Sequence, residues 1–362
     1  SIQRRHQKVI EEAPSSFVDE KLREKMVDQS IKLASAVGYY SAGTVEFVVD
    51  KDKNFYFLEM NTRLQVEHPV TELTTGVDLV EQMLKVAYGN KLNIKQDEIK
   101  FKGHAIECRI YAEDSSKNFL PSIGRLTRYI EPKGKSIRVD SGVVEGSEIS
   151  MFYDPMISKL CTYSESRDSA INEMVNVIDR YYIEGVETNK DFLSNILQND
   201  GFKSGLFSTA FIAENYPSGY NSYESEINDK EILYCVVAFI NFKYLMRAAS
   251  ISNQLKGFSK TVGNNWFVID NGKNINVIIN YNNFNDNYDV YLLNKHFSVK
   301  SNWKIGYPLF SAIIDNKLHY FSIKRNGPKI IINHKGSIAE LLVLSQRHSE
   351  LHKIMKPRKK ED

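Results

Sequence analysis

The chain has 362 residues, which at about 150 residues per domain allows two to three domains and more than one buried core. Lys and Arg total 47 against 45 Asp and Glu, a net charge of +2, so no bulk field is available to hold nucleic acid or an anionic membrane. Three cysteines, Cys108, Cys161 and Cys235, stand far apart without a CxxC pair, which argues against a disulfide framework or a thiolate zinc site and for a reducing compartment.

The chain opens on Ser1-Ile2-Gln3-Arg4-Arg5-His6-Gln7-Lys8, basic but without the apolar stretch of a secretory signal. It lacks an initiator Met, as expected of a piece of a longer protein. Helical spacing of Leu22, Met26, Leu33, Ala34 and Val37 predicts a helix over residues 19–37, ended by Gly38. A hairpin is predicted over residues 44–60 and a short helix over 78–89. Strand-like runs follow at 105–111, 125–130, 137–139 and 157–163, then helices at 167–182 and 189–198. The composition shifts at Pro217-Ser218-Gly219-Tyr220-Asn221-Ser222, before the polar segment 224–231, and a boundary is placed there. A long apolar helix over residues 231–250 precedes seven short β-type runs between 266 and 333, which predict one helix packed with an antiparallel barrel or sandwich. The longest unbroken apolar run, residues 232–240, is nine long, against about 20 for a bilayer span, so a soluble chain is expected. Residues 356–362 read as a charged tail.

Within the hairpin, alternation places Glu46 with Thr44 and Val48, and Glu59 with Phe55 and Phe57. Pairing Asp50 with Phe55 would set Val48 opposite Phe57 and Glu46 opposite Glu59. Like charges so opposed repel, which calls for something positive between them. Two hard carboxylates suit magnesium that also holds phosphates, although an ordinary solvated face fits a bare Glu pair as well. Beyond Glu59 the polar residues Asn61, Arg63, Gln65 and Glu67 continue at period two. A half-buried strand with a polar outer face fits that pattern. So does a row able to hold a metal, a planar anion forked by Arg63, and a carboxylate base beside it.

The stretch Glu59-Met60-Asn61-Thr62-Arg63-Leu64-Gln65-Val66-Glu67-His68-Pro69-Val70-Thr71-Glu72 resembles the signature of the biotin carboxylase family of ATP-grasp enzymes. The opening residues, the run Glu107-Cys108-Arg109-Ile110-Tyr111-Ala112-Glu113-Asp114 and the run Tyr153-Asp154-Pro155-Met156-Ile157-Ser158-Lys159-Leu160 are similar to the same family. Arg138-Val139-Asp140-Ser141-Gly142 is similar to acyl-CoA carboxylase α subunits, and the layout after residue 225 resembles the connecting domain of propionyl-CoA carboxylase.

The resemblance implies an α+β chain: the C-terminal part of an ATP-grasp domain (1–100), a biotin carboxylase C-terminal domain (101–220) and a connecting helix with a β-barrel (225–355). It implies ATP-dependent carboxylation of carrier-bound biotin with bicarbonate. Glu46, Glu59 and Asn61 would hold Mg2+ or Mn2+, and Gln3, His6 and Lys8 would lie along the ATP phosphates. Arg63, Gln65 and the Val66 N–H would bind bicarbonate, with Glu67 as its base. Arg63 and Arg138 would stabilise charge on the biotin ureido oxygen, with Asp154 orienting Arg138. The implied partners are a biotin carrier domain and a carboxyltransferase β subunit, and the implied location is the bacterial cytoplasm or the mitochondrial matrix.

No glycine-rich phosphate loop appears in this sequence, and Met355-Lys356 is followed by Pro357 in the charged tail rather than forming a biotin acceptor site. The chain alone is therefore expected to be inactive. The histidines from His104 to His352 show no ligand spacing, and the aromatics after residue 260 read as barrel core or partner contact rather than a stacking surface for nucleic acid. The competing readings are the biotin carboxylase of an acetyl-CoA, methylcrotonyl-CoA or pyruvate carboxylase, and a non-catalytic module that docks the carboxyltransferase through helix ends and the loops 257–265 and 282–287.

Overall fold

Strand β5, His104–Tyr111, has all eight residues buried. Its apolar row Ile106, Cys108 and Ile110 faces one way, and Glu107 and Arg109 alternate onto the other. A computed structural model describes residues 1–223, 230–252, 257, 259–282, 287–292 and 294–355. It divides into two units, residues 1–178 with 183–220, and residues 179–182 with 221–362.

In the first unit, β1 (Ile2–Arg4) and β2 (Gln7–Ala13) form a hairpin whose second strand pairs with β5, Ile10 opposite Cys108 and Glu11 opposite Glu107. Strands β6 (Ile137–Ser141) and β7 (Met156–Ser164) complete an antiparallel sheet in the order β1-β2-β5-β7-β6. Helix α1, Glu20–Ala36, starts where Asp19 accepts the Leu22 N–H at 2.9 Å, a side-chain N-cap. Strands β3 (Thr44–Val49) and β4 (Phe55–Asn61) form a separate hairpin.

The alternation seen beyond Glu59 is not a continuing strand. Pairing stops at Asn61, and the chain turns into helix α2, His68–Thr75, with Pro69 in its first turn and Gly76 at φ +73° closing it. Helices α3 (Leu79–Ala87), α4 (Arg167–Arg180) and α5 (Lys190–Gln198) complete the principal helices of this unit.

Glu12 on β2 is buried between His104 Nε2 at 3.2 Å and Arg167 Nε at 2.7 Å. Burial alone would raise its pKa, but these partners outweigh it and hold it at about 2.

The second unit is an eight-stranded closed antiparallel barrel around a helix. Helix α6, Lys230–Ala249, is buried on every face from Leu233 to Phe242. Strands β8 (Asn265–Asp270), β9 (Lys273–Asn282), β10 (Asn287–Leu292), β11 (Lys295–Lys300), β12 (Leu309–Ile314), β13 (Lys317–Asn326), β14 (Lys329–His334) and β15 (Ser337–Ser345) follow in order. Pairing of β8 with β15, Trp266 opposite Ser345, closes the ring. The barrel thus replaces the open choice between barrel and sandwich.

Two-residue turns at Asn271-Gly272, Asp315-Asn316 and Lys335-Gly336 place both residues at positive φ, the backbone that matches strand twist. Inward residues such as Val268, Val277, Val290, Phe310 and Ile332 join the helix in one core. Phe239 meets Tyr288 edge-on at 4.9 Å and Phe310 at 5.9 Å. The helix is long and apolar enough to cross a bilayer by length and composition, yet its residues from Leu233 to Phe242 are buried inside the barrel unit. Helix α7, Gln346–Ile354, follows the last strand. The charged tail 356–362 lies outside the described residues, as do residue 258 and residues 283–286 of the two candidate docking loops.

Phe239→Ala should destabilise the second unit by about 3–5 kcal/mol through transfer and cavity costs. Both tryptophans, Trp266 and Trp303, lie in that unit, so urea unfolding followed by tryptophan fluorescence reads the loss directly. For Glu12 the folded pKa is depressed, so its stabilisation is present above the unfolded value and lost as pH falls toward about 2. Glu12→Gln should therefore weaken hydrogen-exchange protection of β2 and β5 at neutral pH and approach wild type in strong acid.

Candidate active site

The hairpin delivers Glu46 opposite Glu59 by a different register from the expected one. Val49 pairs with Phe55, Val48 with Tyr56 and Phe47 with Phe57, and a bulge at Leu58 restores Glu46 to Glu59. Asp50 explains the shift: its Oδ1 accepts the N–H groups of Asp52 at 2.9 Å and Asn54 at 2.8 Å, which tightens the loop. The repulsion between the two acids is relieved by donors. Asn61 Nδ2 donates to Glu46 at 3.1 Å and to Glu59 at 3.0 Å, and Gln65 Nε2 also donates to Glu46. Lys8 on β2 supplies the positive charge, 3.3 Å from Glu46.

Glu67 lies immediately before α2 and is held by two cations. Lys8 Nζ donates to its Oε1, and Arg109 NH2 donates to its Oε2 at 2.7 Å. Burial would raise the Glu67 pKa, but the hydrogen bond and charge of Lys8, with Arg109, lower it. Lys8 is pushed in the matching direction: burial would lower it, and Glu67 raises it. A cavity of about 440 Å³ opens beside this pair, lined by Lys8, Glu11, Thr44, Arg63, Gln65 and Glu67 among others. Arg63 is exposed, donates to the Leu64 carbonyl at 3.2 Å and forms no ion pair among the described residues. Its guanidinium is open to an anion.

The other expected residues are placed differently. Arg138 does not line this cavity. It forks onto Asp140 at 2.8 and 3.0 Å and reaches Glu72 at 2.6 Å; Asp154 instead accepts the Met156 N–H at 2.8 Å. Lys159 bridges Asp140 at 2.9 Å and the Val66 carbonyl at 3.2 Å, which fixes the Val66 peptide. Gln3 and His6 line a separate cavity of about 290 Å³ with Arg5. Arg5 and His6 form the tip of the first hairpin, both at positive φ, and both are exposed.

Arg109, Lys159, Glu72, Glu11 and Glu107 stand next to these residues, and their types alone give them no expected role. The signal lay in β5 itself, where Glu107 and Arg109 share one face of a strand otherwise apolar. Glu107 is fully buried and burial pushes its pKa to about 8. Cys161 donates to it at 3.7 Å and is buried, as is Cys108, so both thiols are structural.

Glu46, Glu59 and Asn61 fit a hard divalent cation by donor type. Their oxygens converge on one hairpin end, where the Asn61 amide already bridges the two carboxylates. No group of three or more His, Cys, Asp or Glu forms a cation cage among the described residues. A cation here would depend on further oxygens from a phosphate ligand, which is how magnesium is commonly held.

Three family models match consecutive parts of the chain: the carbamoyl-phosphate synthase L chain ATP-binding domain over residues 1–95, the biotin carboxylase C-terminal domain over 107–214, and the propionyl-coenzyme A carboxylase BT domain over 233–358. The propionyl-CoA carboxylase alpha chain of Ruegeria pomeroyi is 43% identical over 98% of this chain and 55% of its own length. The human mitochondrial propionyl-CoA carboxylase alpha chain is 40% identical over 100% of this chain and 50% of its own. Among solved structures, the biotin carboxylase domain of Hydrogenobacter thermophilus 2-oxoglutarate carboxylase, in complex with MgADP, ADP and bicarbonate, superposes with a TM-score of 0.58. It is 45% identical, covering 59% of this chain and 47% of that one. The chain spans about half the length of the curated relatives it matches. The chain is thus similar, along nearly all of its length, to propionyl-CoA carboxylase alpha chains, and its parts match the biotin carboxylase C-terminal domain and the propionyl-CoA carboxylase BT domain.

Proposed function

We propose that this chain is the bicarbonate-activating part of the biotin carboxylase component of a propionyl-CoA carboxylase, an ATP-dependent ligase that carboxylates carrier-bound biotin. The observation that carries the reading is Glu67, kept ionised between Lys8 and Arg109 on the wall of a cavity that also presents Gln65 and Arg63, which forms no ion pair among the described residues. A planar oxyanion in that cavity would be forked by Arg63, oriented by Gln65 and the Val66 N–H, and would lose its proton to Glu67. Lys8 places a point charge where the phosphorylated product would carry its anion. Arg63 and Arg138 would supply the guanidinium groups that stabilise a developing ureido oxyanion. Glu46, Glu59 and Asn61 would hold Mg2+ or Mn2+, which when bound spreads charge on the ATP phosphates. Gln3 and His6, on their own cavity, would meet the nucleotide at a second point.

The division into residues 1–100, 101–220 and 225–355 belongs to the same reading. We read the barrel unit as the docking module for the carboxyltransferase subunit, supported by the BT match and by a barrel interior filled with side chains rather than a ligand. A biotin carrier domain is the second partner. Relatives from a bacterium and from mitochondria support a cytoplasmic or matrix location.

In the complete polypeptide, Glu67→Gln should lower bicarbonate-dependent ATP cleavage by about 10²-fold or more while ATP affinity changes little. Loss of nucleotide binding in step with cleavage would contradict the assignment of a base. Glu46→Gln should instead raise the magnesium concentration needed for half-maximal cleavage by about tenfold or more, a titration in which an unchanged midpoint would remove Glu46 from the metal set.

A further inference from the structure

We infer that Glu107 positions Arg109 against Glu67, and that ionisation of Glu107 draws the guanidinium away from Glu67. Two buried polar atoms, Glu107 Oε1 and Arg109 Nε, have no hydrogen-bond partner among the described residues. They lie 3.6 Å apart, just beyond hydrogen-bond range. The same guanidinium reaches Glu67 through NH2 at 2.7 Å. A movement of less than about 1 Å would close the Glu107 contact, and it would be made at the expense of the geometry on Glu67.

The neighbours leave Arg109 as the cation available to Glu107. Glu11 on β2 stands directly opposite Glu107 and is itself pushed up by burial, with its Oε2 unpartnered among the described residues. On β7, Cys161 offers a thiol at 3.7 Å, and Lys159, paired with Arg109 in register, is engaged by Asp140 and the Val66 carbonyl. Tyr111 follows on the same strand and its hydroxyl adds to the field at Arg109. From the start of α2, Glu67 faces Arg109, and Lys8 is already bonded to Glu67.

Burial keeps Glu107 protonated up to about pH 8, and while it is neutral Glu67 is the stronger anion for Arg109. Above that midpoint a second anion stands beside the unpaired Nε, in a site where water does not screen it. Glu107 is therefore a positioning residue that acts through Arg109. Its kinetic consequence rests on the reading of Glu67 as the base; its geometric consequence does not.

Carbon-13 labelling of glutamate and nitrogen-15 labelling of arginine in this chain provide a titration of Glu107 Cδ and one of Arg109 Nε. The two should share a midpoint at about 8, and Glu107→Gln should abolish the step at Arg109. In the complete polypeptide, bicarbonate-dependent ATP cleavage should fall severalfold across the same midpoint, and Glu107→Gln should flatten that fall. An Arg109 resonance in the wild-type chain that ignores Glu107 overturns the inference, and this needs no variant to fold. An identical alkaline limb in both proteins also overturns it, while leaving the proposed function in place. Absence of any bicarbonate-dependent cleavage would overturn the proposed function instead, and the paired resonances would still decide the role of Glu107.

Discussion

The placement of Glu67 between Lys8 and Arg109 is the interaction on which the site depends. Removing a carboxylate and two cations from water is unfavourable, and such a cluster persists only where hydrogen bonds and opposite charges satisfy each member. The fold provides this by juxtaposing three separate pieces of chain. Strand β2 brings Lys8, β5 brings Arg109, and α2 begins at Glu67, where its first turn packs over the sheet. The register of β2 on β5, Ile10 opposite Cys108, thus also decides which side chains reach Glu67. A one-residue slip would send Arg109 to the apolar face and leave Glu67 short of one partner.

Much of the chemistry was legible because it is written locally. Asn61, Arg63, Gln65 and Glu67 fall within seven residues, and any conformation that keeps them on one side gathers them. The conformation was less so: alternation beyond Glu59 leaves a half-buried strand open, whereas Pro69 in the first turn of α2 marks a helix start. The hairpin pairing was right at Glu46 and Glu59 but wrong at the loop, since hydrogen bonds from Asp52 and Asn54 to the Asp50 side chain shift the register and a bulge shifts it back. The contact of Arg109 with Glu67 is not legible, because a motif carries residue types and not distances. Which arginine meets Glu67 depends on strand pairing across more than forty residues, which local pattern does not encode.

The barrel unit was legible for a complementary reason. Its turns declare themselves through Asn271-Gly272 and Asp315-Asn316, and its strands alternate plainly. Closure did not, because sheets in a sandwich and staves in a barrel share the same period. Helix α6 supplies the missing argument. A helix buried all round from Leu233 to Phe242 requires walls on every side, and a closed ring of eight strands provides them without leaving an exposed sheet edge.

Two glutamates share Arg109 and yet are driven in opposite directions. Glu67 gains Lys8 as a second cation and its pKa is lowered; Glu107 has burial without a hydrogen-bonded cation and rises to about 8. The pair around this one guanidinium thus holds an ionised carboxylate and a neutral acid side by side. The asymmetry comes from position across the sheet. Glu67 stands at the cavity wall, within reach of the β2 lysine, while Glu107 lies inside the sheet between Glu11 and Cys161. Exchanging the two environments, and not the two residues, would exchange their chemistry.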